Sequence, residues 1–74
     1  MMTFEKFSAA LSPIFEGAFL EPSTRFRELP SWGSLAGLSM IAVIDDEFGV
    51  LLSGNDIRSA DTAGELFELA VKKQ

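Results

Sequence analysis

An all-α bundle of four helices, three main and one short, is the fold class that this sequence predicts. Three observations carry the prediction. Apolar residues recur every three or four positions through most of the chain, the mark of helices with one buried face. Hydroxyl-bearing and carboxylate residues that cap helix starts precede those runs, and Gly49 follows one of them. The chain has 74 residues and no Cys, so its core must come from economical packing of short helices rather than from disulfides. A domain of this size buries only roughly 60% of the surface its unfolded chain exposes. Seven Phe and one Trp supply large buried areas per side chain. No repeat, low-complexity stretch or linker divides the chain, and residues 1–74 are read as one domain.

The first helix is predicted from Thr3 to about Gly17, with Thr3 as its N-cap. Phe4, Phe7, Leu11, Ile14, Phe15 and Ala18 share its apolar face. Pro13 lacks an N–H and clashes with the carbonyl four residues back, so a kink or break is expected near Ser12. Residues 21–32 contain Pro22 and Pro30 without a period and read as a long loop. Its Phe26, Leu29 and Trp32 are expected to tuck over the core, although Trp32 also reads as a contact surface beside Ser34.

The second helix is predicted over Ser34–Phe48, opened by Gly33 or Ser34 and closed by Gly49 in the left-handed conformation. Leu35, Leu38, Ile41, Ile44 and Phe48 form its main stripe. Met40, Ala42 and Val43 widen the stripe almost to the full circumference. That pattern belongs to a helix at the centre of a bundle or to one that shows surface to a partner. Asp45, Asp46 and Glu47 crowd its last turn, where the helix dipole favours cations. The cluster reads either as a recognition feature or as a solvated helix end.

Ser53-Gly54-Asn55-Asp56 caps a one-turn helix containing Ile57. Thr62-Ala63-Gly64-Glu65 is a capping-box pattern and opens the last helix, where Leu66, Leu69 and Ala70 follow at helical spacing. The best strand candidate, Gly49–Leu52, is too short and has no partner. The expected core is Phe4, Phe7, Leu11, Leu38 or Ile41, Ile44, Phe48, Ile57, Leu66 and Leu69.

The inventory of chemistry-bearing residues is thin. With no His, Cys or Tyr, acid–base work would fall on carboxylates, Lys or Arg alone, which argues against an enzyme. No metal site is expected. Six basic and eleven acidic residues give a net charge of -5, which disfavours nucleic acid and favours basic protein partners. The start, Met1-Met2-Thr3-Phe4-Glu5-Lys6, lacks the basic segment and long apolar run of a signal peptide. The longest apolar run, Met40–Ile44, is too short to span a bilayer. A cytoplasmic monomer without membrane insertion is expected.

Ser34 stands out by position. It follows a loop containing Pro30, Trp32 and Gly33 and opens a helix, where free backbone N–H groups and the positive dipole end would stabilise a phosphate on its hydroxyl. The same features suit an ordinary N-cap serine.

Arg25-Phe26-Arg27-Glu28-Leu29 followed by Trp32-Gly33-Ser34-Leu35 resembles the loop and modification site of acyl and peptidyl carrier proteins. Ile44-Asp45-Asp46-Glu47-Phe48-Gly49-Val50 resembles the end of their second helix, and Asn55-Asp56-Ile57, Thr62 and Glu65-Leu66 fall where their third and fourth helices begin. The resemblance covers roughly residues 4–69. It implies a carrier domain whose Ser34 bears a covalent phosphopantetheine arm that holds acyl or aminoacyl groups as thioesters. A protein without Cys would obtain its thiol from that cofactor. The implied partners are a phosphopantetheinyl transferase and acyl-loading or acyl-transferring enzymes of fatty-acid, polyketide or nonribosomal peptide type. The family has Asp before the serine where this chain has Gly33, and acidic positions after it where this chain has Ala36, Gly37 and Ser39. Those changes point to a specialised pathway with its own partners. The alternative is a protein–protein interaction module that keeps the carrier fold unmodified.

Overall fold

The structure is a computed structural model that describes residues 2–74; Met1, the first residue of the expected 1–74 domain, lies outside the described residues. Four α-helices run as α1 (Phe4–Leu11), α2 (Ala36–Phe48), α3 (Gly54–Ser59) and α4 (Ala63–Lys72). Short 3-10 turns occupy Ser12–Phe15 and Phe26–Glu28. The described residues form no strand. The expected all-α bundle of three main helices and one short one is what the chain adopts.

Each boundary has a local cause. Thr3 Oγ1 accepts the Lys6 N–H at 3.2 Å and starts α1. The α-helix stops at Leu11, and Pro13 stands in the first turn of the 3-10 segment that follows, so the expected break near Ser12 is a change of helix type. Two serines of this stretch then fold the chain back. Ser8 Oγ donates to Leu20 O and Ser12 Oγ donates to Ala18 O, each at 2.9 Å. Gly49 closes α2 at φ 68, as expected of a left-handed cap. Both later helices open with full capping boxes, Ser53 with Asp56 and Thr62 with Glu65. Lys73 Nζ reaches Asp56 Oδ2 at 2.6 Å and so joins the end of α4 to the start of α3. That hydrogen bond, seconded by the Ser53 backbone N–H, holds the Asp56 carboxyl below the usual carboxylate range.

The core joins the helices through aromatic contacts. Phe7 of α1 meets Phe67 of α4 at 5.4 Å and Phe48 of α2 at 6.2 Å, and Phe4 meets Phe67 edge-on at 5.6 Å. Phe7, Leu11, Ile44, Ile57 and Leu66 are buried as expected, while Phe4, Ile41, Phe48 and Leu69 are half-buried against them. Leu38 is not a core residue; it is 66% exposed. The face of α2 turned inward is Ala36, Met40 and Ile44, one helical row away from the Leu35–Leu38 stripe. An almost uniformly apolar helix cannot declare its inner face by periodicity alone. Phe15, Leu20, Phe26, Val50 and Leu52 complete the core from segments outside the α-helices.

The long segment before α2 is pinned at two places. The N–H groups of Ala63 and Gly64 at the start of α4 donate to Thr24 O and Pro22 O, both at 2.9 Å. A side chain at Gly64 would put its Cβ 2.8 Å from Pro22 O, so this approach needs glycine. Further along, Arg27 Nη1 donates to Ile57 O and Ala60 O at 2.7 Å each, and Nη2 pairs with Asp61 Oδ1 at 2.8 Å. Arg27 thereby satisfies carbonyls at the C-terminal end of α3 while its guanidinium lies 5.1 Å from the Phe26 ring. Arg27→Ala should lower the unfolding free energy by about 2–3 kcal/mol, the worth of hydrogen bonds to a charged donor. Arg27→Lys should recover only part, because one ammonium cannot reproduce the fork. Denaturant titration checks both, and an Arg27→Ala protein as stable as the parent would remove this anchor from the account.

Candidate functional site

Ser34 lies in a tight turn, not in α2. The Ala36 N–H donates to Gly33 O at 3.1 Å to close the turn, and the helical ladder begins only when the Ser39 N–H reaches Leu35 O at 2.9 Å. The residue at the N-cap is Leu35, which offers no side-chain acceptor. The expected helix start at Ser34 is therefore corrected to Ala36, and the ordinary N-cap reading of Ser34 falls with it. Its side chain is exposed, and its hydroxyl makes no hydrogen bond with the described residues. Among the described residues, no backbone acceptor pairs with the N–H of Gly37 or Leu38. The positive end of a 13-residue helix thus opens beside a free hydroxyl.

The surroundings of that hydroxyl are set by neighbouring segments. A groove of about 420 Å³ adjoins it, lined by Ile14, Ser31, Leu35, Ala36 and Ser39 together with Gly33 and Ser34. None of these residues is charged. One wall is fixed by Glu16, which ends the 3-10 turn at φ 60, and whose Oε1 accepts the Ser31 hydroxyl at 3.0 Å. Left-handed backbone at a residue other than glycine is a local cost, here accompanied by a bond that ties the Ser31 loop to the end of the first helical stretch. Trp32 stacks on Phe15 at 6.5 Å and meets Phe26 edge-on at 5.7 Å. Of its two readings, core capping is the one its packing supports. Gly33 faces open space, with nothing within 4 Å of where a Cβ would stand.

These residues fit a phosphopantetheine group. The hydroxyl is available for ester formation, the two unpaired N–H groups suit a phosphodiester, and the adjoining groove is uncharged and partly apolar. The acidic cluster is not part of this site. Asp45 lies eleven positions after Ser34, which is about 16 Å along a helix axis. Asp45, Asp46 and Glu47 are exposed, and no ion pair among the described residues involves them. Between the two ends runs an outward stripe of Leu35, 70% exposed, Leu38 and Ala42. Sequence reasoning did not find Ile14, Ser31 and Ser39 as neighbours of Ser34. Ile14 lay on the apolar face of the first helix, and nothing in its spacing says that the turn brings it to the groove. Among the described residues, no cluster of side chains could hold a metal ion, and no helix is long and apolar enough to cross a membrane.

No family model matches the chain, and no curated protein matches its sequence. Its structure is similar to the solution structure of a holo acyl carrier protein from Geobacter metallireducens, with a TM-score of 0.80. The superposition covers 99% of this chain and 86% of that one at 19% sequence identity. Nearly every residue thus has a counterpart in space although four in five differ in type, and the chain has the fold of an acyl carrier protein.

Proposed function

We propose that residues 1–74 form one carrier domain, working as a cytoplasmic monomer, whose Ser34 bears a phosphopantetheine arm for acyl or aminoacyl cargo. The observation that carries this reading is the exposed Ser34 hydroxyl, unengaged by the protein and set beside the free N–H groups that open α2. A structural serine at a helix start would be expected to cap it. The arm supplies the thiol that binds cargo as a thioester, which a chain without Cys does not have. The chain's own part is to fix the attachment point, neutralise the phosphodiester with the helix start and present a docking face. In the loading reaction the Ser34 oxygen forms the new phosphate ester, the pyrophosphate P–O bond of coenzyme A breaks, adenosine bisphosphate leaves, and the hydroxyl proton passes to a base of the transferase.

The docking face that this function needs is the stripe of Leu35, Leu38 and Ala42, with Asp45, Asp46 and Glu47 at its far end. The apolar part would bind the transferase and the acyl-loading or acyl-transferring enzymes, and the carboxylates would steer basic surfaces toward it. With Gly33, Ala36 and Ser39 uncharged around Ser34, affinity rests on apolar contact more than on charge. That supports partners specific to one pathway. The second reading, an unmodified interaction module, is motivated by Gly33 in place of the family's Asp.

Incubation with coenzyme A and a transferase, followed by intact-mass measurement, tests the proposal. One phosphopantetheine should be added, and none to Ser34→Ala. Because Ser34 caps nothing, Ser34→Ala should lie within about 0.5 kcal/mol of the parent in stability, the range of surface substitutions. No addition by any transferase, the host's included, would favour the interaction module. Gly33→Asp should fold unchanged, since its Cβ meets nothing. It should also be modified faster than the parent by a transferase of broad range. An equal or slower rate would show that position 33 does not set recognition.

A further inference from the structure

Two directions are open to a substituent leaving the Ser34 hydroxyl. One leads over α2 toward α3. There Trp32 and Ile57 converge on Gly37, so that a Cβ at Gly37 would already lie 3.7 Å from Trp32 Cη2 and 3.8 Å from Ile57 Cγ2. Those are ordinary contact distances, so Trp32 and Ile57 both pack at van der Waals range of the Gly37 position. Trp32 is held there by stacking on Phe15 and by an edge contact with Phe26. The other direction is the groove of about 420 Å³ between the Ser12–Phe15 turn and the start of α2. It begins at Ser34 itself.

The chemistry of the groove matches the middle of a pantetheine arm. That arm carries a dimethyl carbon followed by two amides. Ile14 and Leu35 offer apolar surface for the dimethyl carbon. An amide leaving water needs a hydrogen-bond partner. Ser39 is half-buried, its hydroxyl makes no hydrogen bond with the described residues, and it stands about one helical turn, roughly 6 Å, beyond the Leu35 cap that follows Ser34. The Ser31 hydroxyl is already given to Glu16 Oε1 and serves as wall rather than partner.

We propose that an arm on Ser34 lies in this groove, its dimethyl carbon on Ile14 and Leu35 and an amide on Ser39, so that cargo is held outside the helical core. The proposal rests on Ser34 being the attachment point. It adds a binding path and two residues outside the docking face, Ile14 and Ser39, that act on the arm, with Leu35 shared between the arm and the docking face. Trp32 acts as the barrier that keeps cargo from entering between α2 and α3.

The test separates the groove from the loading reaction. Ser34→Cys places a single thiol in a chain that has no other. Its thiolate displaces iodide from an iodoacetyl pantothenamide and attaches the dimethyl carbon and both amides without any transferase. Nuclear Overhauser effects should then connect the geminal methyls to the Ile14 and Leu35 methyls, with amide shifts at Ser31 and Ser39 and none at Trp32 or Ile57. Ile14→Ser should abolish the methyl contacts at position 14 while those to Leu35 weaken, and Ser39→Ala should abolish the shift change at position 39. Contacts from the arm to the Trp32 indole or to Ile57, or an arm with no contact to the protein, would overturn the proposal. If the attached arm occupies the groove while no transferase modifies Ser34, the groove stands and the carrier reading fails. In enzymatically loaded protein, lengthening an attached acyl chain should leave the Trp32 and Ile57 signals in place. Movement of those signals in step with chain length would also overturn it.

Discussion

The stretch between the first 3-10 turn and α2 has no helix longer than three residues, yet it must deliver Ser34 to a defined place. It can do so because Arg27 ties the loop to the end of α3, with one guanidinium nitrogen on the Ile57 and Ala60 carbonyls and the other on Asp61. A loop held only by apolar side chains could slide, since hydrophobic contact is not directional. The Arg27 fork is directional, and it binds groups that the end of α3 leaves without helical partners. Pro22 and Thr24 perform the converse task at the start of α4, where their carbonyls take the free N–H groups of Gly64 and Ala63. The loop therefore caps α3 and α4, and those two helices in turn register the loop. Trp32 then falls over Phe15 and against Phe26, and the turn at Ser34 follows within two residues of Trp32.

This arrangement separates stability from function. The buried aromatic contacts, the capping boxes and the Arg27 fork involve none of the exposed residues at the start of α2. Ser34 is left with its hydroxyl free, and Leu35 and Leu38 are left uncovered, at a cost that the rest of the fold offsets. An exposed leucine alone means little. Two of them on one face beside an unengaged serine, with three carboxylates at the far end of the same helix, make a surface with a direction. The proposed carrier role would use that polarity, because each enzyme would have to meet the end of the helix that holds Ser34.

Much of the fold could be read from the amino acids. Thr3, Ser53 and Thr62 announce helix starts through hydroxyls that really do accept the expected N–H groups, and Gly49 announces an end through its left-handed backbone. These are local effects, and local effects are legible. The inner face of α2 was not, because Leu35, Leu38, Ile41 and Met40 are equally apolar and only the surrounding helices decide which row turns inward. The start of α2 was misplaced for a related reason. Gly33-Ser34 looks like a cap, and only the turn closed by Ala36 and Gly33 shows that it is not. Ser34 was singled out in the sequence by its position and by resemblance to carrier proteins, and the structure adds its exposure and, among the described residues, its unpaired hydroxyl. Its groove was not, since Ile14 and Ser34 are far apart in sequence and meet through the fold.

The attachment of an arm at Ser34 is the central claim, and the state of the protein in its own cell tests it most directly. Intact-mass and fragment-ion measurement on the chain purified from its native host should find one phosphopantetheine, carried on Ser34 and on no other residue. A population that is wholly unmodified, taken from cells in which the protein is in use, would contradict the account and leave a carrier fold serving as an interaction module.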